Sequence, residues 1–110
     1  MVREIGARSK VIKAVEGNNA FLAFLQIEPG AGVPQHRDTT EEFVLVVEGG
    51  GVITIDGASH ELTVGSAVYM APNAEVSYAN GDRKSTVIQV FAGPEPSKKY
   101  ESWVPAVASN

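Results

Sequence analysis

Turn signals recur roughly every ten residues along this chain, and no run between them shows a helical spacing of apolar residues. Glu28-Pro29-Gly30-Ala31-Gly32, Glu48-Gly49-Gly50-Gly51, Asp56-Gly57, Ala71-Pro72-Asn73 and Asn80-Gly81-Asp82 carry the residues that bend a backbone sharply. Asp56-Gly57 and Asn80-Gly81 are the strongest hairpin signals among them. The runs they bound are short and rich in Val, Ile, Phe and Thr: Phe21 to Ile27, Glu42 to Glu48, Val52 to Ile55, Ala67 to Met70, Val76 to Ala79 and Thr86 to Phe91. Each has the length and composition of a β-strand. Many short strands with no helices between them predict an antiparallel sandwich or barrel and exclude an α/β fold.

Length and charge narrow the function. The 110 residues are one domain's worth. A chain of this size buries enough surface to fold without staples. It contains no cysteine, which excludes disulfide scaffolds, thiolate nucleophiles and iron–sulfur clusters. The net charge of −4, with lysines and arginines scattered, leaves no basic face for nucleic acid. The opening Met1-Val2-Arg3-Glu4-Ile5-Gly6 has neither the apolar run nor the cleavage site of a signal peptide, and no stretch reaches the ~20 apolar residues of a membrane span. The expectation is a cytoplasmic protein whose partner is a small molecule or a second copy. The expected domain runs over 1–110, with a barrel over about 20–92 and a C-terminal extension, 93–110, interrupted by Pro94, Pro96 and Pro105 and carrying Trp103, the sole tryptophan.

The chain resembles the cupin superfamily at fixed offsets. Gly30, five residues, His36-Arg37-Asp38, three residues, Glu42, six residues and Gly49 reproduce the first cupin motif, with Asp38 where the second histidine usually stands. Gly65, Pro72, Asn73, Val76 and Asn80 keep the spacing of the second motif, but Ala71, Asn73 and Val76 occupy its proline, glycine and histidine positions. Asparagine tolerates the left-handed backbone that the glycine supplies, so Asn73 is a mild change. Val76 deletes a metal ligand. The resemblance implies an all-β double-stranded β-helix, or jelly-roll barrel, with a site in its interior.

Within that fold His36 and Asp38 project to one face of their strand, as do Glu42, Val44 and Val46. Burying three polar side chains without partners would cost several kcal/mol, so the trio reads as a site. One histidine and two carboxylates suit one divalent ion such as Mn, Fe, Ni or Zn. A metal-free alternative stays open: carboxylates about 4 Å apart repel by roughly 4 kcal/mol at an effective dielectric of about 20, so one holds a proton and the group becomes acid–base equipment. His36, Asp38 and Glu42 are therefore the expected catalytic residues and the expected metal ligands. His60 is read as lying outside a hairpin, and Tyr78 and Gln89 as a core tyrosine and a sheet-edge amide before cavity residues. The functions in view are metal-assisted or acid–base catalysis of the isomerase, lyase, cyclase or dioxygenase type on a small oxygenated substrate, and a non-catalytic ligand-binding or sensor barrel. A homodimer is expected from family habit and from Val11, Ile12, Trp103 and Val104, apolar residues at the chain ends with no evident core to enter.

Overall fold

The computed structural model describes residues 3–5, 9–93 and 104–105. Among the described residues eleven strands run in order β1 (Arg3–Ile5), β2 (Ser9–Glu16), β3 (Ala20–Ile27), β4 (Gly32–Arg37), β5 (Glu41–Glu48), β6 (Gly51–Ile55), β7 (Ala58–Leu62), β8 (Ala67–Met70), β9 (Glu75–Asn80), β10 (Ser85–Ala92) and β11 (Val104–Pro105). Among the described residues there is no helix, so none is long and apolar enough to cross a membrane. The strands form a seven-stranded sheet, β11-β1-β2-β3-β10-β5-β8, and a four-stranded sheet, β4-β9-β6-β7. Every pairing is antiparallel. From β3 onward the chain crosses repeatedly from one sheet to the other, which is the jelly-roll winding expected from the sequence.

The core follows from alternation. Phe21, Ala23, Leu25 and Ile27 of β3 are buried, as are Glu42, Val44 and Val46 of β5 and Val87 and Phe91 of β10. Ladder pairing sets them in rows across the seven-stranded sheet: Phe21, Phe91, Glu42 and Met70 in one, Ala23, Gln89, Val44 and Val68 in the next. Ile53 and Leu62 close the core from the opposite sheet. Val11 is in this core at 2% exposure. That removes it from the grounds for a homodimer, because β2 folds onto its own sheet beside β3. Trp103 and the side chain of Val104 lie outside the described residues.

The turns behave as their chemistry dictates, with one exception. Asp56 and Gly57 both have positive φ, 48° and 84°, and join β6 to β7 as a two-residue hairpin. Asn73 takes φ 65°, the left-handed conformation anticipated for it. Asn80-Gly81 is not a hairpin, because β9 and β10 belong to different sheets. Asn80 instead ends β9 with its amide Nδ2 donating to the carbonyls of Ile27, Glu28 and Arg83 at 3.0, 2.9 and 2.8 Å. Its Oδ1 accepts from the hydroxyls of Tyr78 and Ser85. This part-buried cluster, with Ser85 fully buried within it, satisfies polar groups where the chain changes sheets. Gly51 packs against it, since a Cβ there would run into the Ala79 carbonyl and the Tyr78 hydroxyl.

Candidate functional site

The site begins with an irregularity in β4. Val33 pairs with Tyr78 and His36 with Val76, so three steps along β4 match two along β9. The extra residue is a β-bulge, and Pro34, which has no N–H to give a ladder, sits inside it. The bulge resets the alternation, so Val33 and His36 both face the cavity despite their odd separation. It also turns the Pro34 carbonyl to within 2.7 Å of His36 Nδ1.

That contact fixes the imidazole. A carbonyl oxygen only accepts, so the Nδ1 proton is assigned by the bond, and Nε2 is left facing Asp38 Oδ2 at 3.2 Å. A bare Nε2 lone pair and a carboxylate oxygen would repel. A cation between or upon them removes the conflict: a proton, giving an imidazolium–carboxylate pair, or a metal ion. The Asp38 backbone is held as well, because its carbonyl accepts from Asn73 N–H at 2.6 Å. Arg37, on the outward side, donates to the Asn73 carbonyl at 2.7 Å and pairs with Glu75 at 2.8 Å.

Glu42 completes the group from β5, where it is 5% exposed in the row of Phe21, Phe91 and Met70. One potential ligand atom from each of His36, Asp38 and Glu42 lies within 4.8 Å of the others. The side chains of His36 and Asp38 remain 32% and 25% exposed, so the group spans from a buried carboxylate to the mouth of the cavity. The three residues fit a divalent ion on the chemistry of their donors: a tautomer-fixed imidazole nitrogen and two carboxylates. They would hold the ion, which when bound would supply a fixed positive charge for a substrate oxygen.

Behind the trio lies a cavity of about 60 Å³, enough for a few water molecules or part of a small ligand. Leu25, Ile27, Val44, Ile53, Leu62 and Val87 contribute its apolar walls. Val76 also lines it, directly opposite His36 in the β4–β9 ladder. Tyr78 and Gln89 line it too, and the sequence reading underrated both. For Gln89 the signal was its phase: it alternates with buried Val87 and Phe91, and β10 is central to its sheet rather than at an edge. Tyr78 presents its ring to the cavity while its hydroxyl donates to Asn80 Oδ1 at 2.9 Å. Burial raises the pKa of that hydroxyl above its ordinary value, with the Ser85 hydrogen bond opposing. His60 is exposed on edge strand β7 and belongs to no ligand group among the described residues. Its register with Ile53 gives it the inward sense of that residue, whereas the sequence reading put it outside the hairpin.

Known proteins point the same way. The cupin domain family matches residues 23–91, more than half of the chain. Dimethylsulfoniopropionate lyase DddW from Ruegeria pomeroyi is 43% identical over 54 residues, 49% of this chain and 36% of that relative's length. Among solved structures, an RmlC-like cupin from Shewanella frigidimarina superposes with a TM-score of 0.78 at 18% identity, covering 88% of this chain and 86% of that one. KdgF from Halomonas sp. superposes with a TM-score of 0.79 at 16% identity, covering 88% and 89%. At such identities the structural likeness speaks for the fold alone. The match to the domain over the strands that carry His36, Glu42 and Val76 means that this chain belongs to the cupin family.

Proposed function

We propose that this protein is a small-molecule cupin enzyme of the lyase type, in which His36, Asp38 and Glu42 hold a divalent ion and act on a small oxygenated acid. The observation that carries the reading is the convergence of the three side chains within 4.8 Å at a largely apolar cavity that Tyr78 and Gln89 also line. The partial match to a dimethylsulfoniopropionate lyase supports elimination as the reaction class. In such an elimination a base takes the proton from the carbon beside the substrate carboxylate, that C–H pair becomes the new C=C bond, and the C–S bond breaks to release neutral dimethyl sulfide. A cation held by His36, Asp38 and Glu42 would supply positive charge against the charge that builds on the substrate carboxylate.

The test is direct. Purified protein supplied with Mn(II), Fe(II), Ni(II) or Zn(II) is incubated with dimethylsulfoniopropionate, and headspace dimethyl sulfide is measured by gas chromatography. Metal-dependent release is expected, falling by about 10²- to 10⁴-fold in His36→Ala and Glu42→Gln, the range for loss of a positioned catalytic group. Release at the buffer rate with every ion overturns the elimination reading. A second reading, a ligand-binding barrel without turnover, draws on Val76, which leaves the group one protein ligand short of the family pattern. Under that reading small carboxylic acids would bind and be recovered unchanged.

A further inference from the structure

His36, Asp38, Thr40, Glu42, Val44 and Val46 sit at every second position of the chain, and from Thr40 onward each of them is buried, while Thr39 is exposed and Glu41 partly so. Thr40 therefore stands in the inward row between the two carboxylates of the trio. It lies immediately before β5 and is 6% exposed. Its Oγ1 is the one buried side-chain polar atom among the described residues that has no hydrogen-bond partner. Gly93, just past β10, packs against it: a Cβ there would meet Thr40 Cα at 3.6 Å and Cγ2 at 3.8 Å but not Oγ1, so the methyl is turned to that neighbour and the hydroxyl away from it. Orphaned hydroxyls of this kind are rare, because burial without a partner forfeits the bond to water and returns nothing. Valine would fill nearly the same space without that cost.

We infer that Thr40 is a positioning residue for the proposed metal centre, its hydroxyl donating to the Glu42 carboxylate in the ion-loaded protein. The inference rests on the reading of His36, Asp38 and Glu42 as ligands. Glu42 is the ligand this donor suits. It is 5% exposed, whereas the Asp38 side chain is 25% exposed and can turn to water. A carboxylate has about four lone-pair positions, and one ion takes only one or two of them. In a buried glutamate the rest call for donors from the protein, and ligating carboxylates are ordinarily hydrogen-bonded in this way. Thr40 and Glu42 are two positions apart on one face, ~7 Å along the chain at about 3.4 Å per residue, a gap that a glutamate leaning along its strand and a hydroxyl donor span between them. The hydroxyl thus destabilises the ion-free fold and stabilises the loaded site. A threonine with a purely structural role does not produce effects of opposite sign.

Two measurements on the full chain, with Thr40→Val and Thr40→Ser beside the wild type, test this. Thermal unfolding of the ion-free protein is expected to give Thr40→Val a midpoint equal to or above that of the wild type, since the substitution removes an unpartnered hydroxyl. Titration with Mn(II), followed by electron paramagnetic resonance, is expected to show Thr40→Val binding about 10- to 100-fold more weakly than the wild type, the range for losing a group that orients a ligand. Thr40→Ser keeps the hydroxyl and is expected to bind close to the wild type. Equal Mn(II) affinity in Thr40→Val and the wild type overturns the inference and leaves the ligand set standing. A lower midpoint for ion-free Thr40→Val also overturns it, because the hydroxyl would then have a partner without the ion, and so does a loss of affinity in Thr40→Ser as large as in Thr40→Val. A wild type that binds no Mn(II) overturns the ligand reading itself, and the inference with it.

Discussion

Replacing Val76 with histidine tests the site from the side where this chain departs from its family. Val76 stands directly opposite His36 in the β4–β9 ladder, and both line the cavity. Directly opposed residues have Cβ atoms about 4.5–5.5 Å apart, so a histidine at 76 starts within a side chain's reach of the His36 ring. Its strand already fixes its direction, so the added ligand costs little further ordering. Partners that merely orient a ligand are worth about 10- to 100-fold in metal affinity, so a new nitrogen ligand should tighten binding by at least that, or about 1.4–2.7 kcal/mol. Against this stands the loss of a partly buried valine, roughly 1 kcal/mol of apolar burial, which falls on the metal-free fold. Isothermal titration with Ni(II) and Mn(II) on the wild type, Val76→His and the His36→Ala/Val76→His double variant reads the effect. Ni(II) should gain more than Mn(II), because imidazole favours it. The reasoning fails if Val76→His binds no tighter than the wild type, or if removing His36 leaves the gain untouched.

Two further expectations concern the polar cluster at the sheet crossing. Asn80→Ala strips partners from three backbone carbonyls and two hydroxyls, and chemical denaturation should show a loss of about 2–4 kcal/mol, while Asn80→Asp, which keeps the acceptor but not the donors, should recover only part of it. Tyr78 sets an alkaline limit: its folded pKa lies above the unfolded value, so its contribution is complete below the unfolded pKa of about 10 and is lost as pH rises from there through the folded value. Thermal unfolding followed from neutral pH upward should show this decline, and Tyr78→Phe should flatten it while lowering stability at neutral pH through the lost bond to Asn80.

What the sequence made legible was whatever rests on alternation and on turn chemistry. The runs containing Phe21 to Ile27 and Glu42 to Glu48 bury one side chain in two because the sheet they share turns one face to the core. Strands β1, β2, β4, β7 and β11 escaped notice, and for β4 and β7 the reason is physical. Pro34 breaks the strand pattern of β4, and the bulge that accommodates it lies in the fold rather than in local propensity. β7, Ala58–Leu62, is an edge strand of mostly polar residues that owes its conformation to pairing with β6. Asn80-Gly81 carries hairpin chemistry, but its flanking strands are claimed by different sheets, which only tertiary packing decides. The trio was legible through spacing, whereas the Pro34 contact that orients His36 depends on the bulge and was not. The apolar outer positions of β5 were written as Phe43, Leu45 and Val47, yet a run apolar at successive positions does not say which face is covered by what.

The proposed function requires that His36, Asp38 and Glu42 together hold one divalent cation at the cavity mouth. Electron paramagnetic resonance titration of the metal-stripped protein with Mn(II) measures this most directly, since free and bound Mn(II) are distinguished without any assay of turnover. Saturation near one Mn(II) per chain is expected for the wild type, with binding weakened at least 10-fold in each of His36→Ala, Asp38→Asn and Glu42→Gln. A wild type that leaves all the Mn(II) free, or a His36→Ala variant that binds it as tightly as the wild type, would contradict the claim.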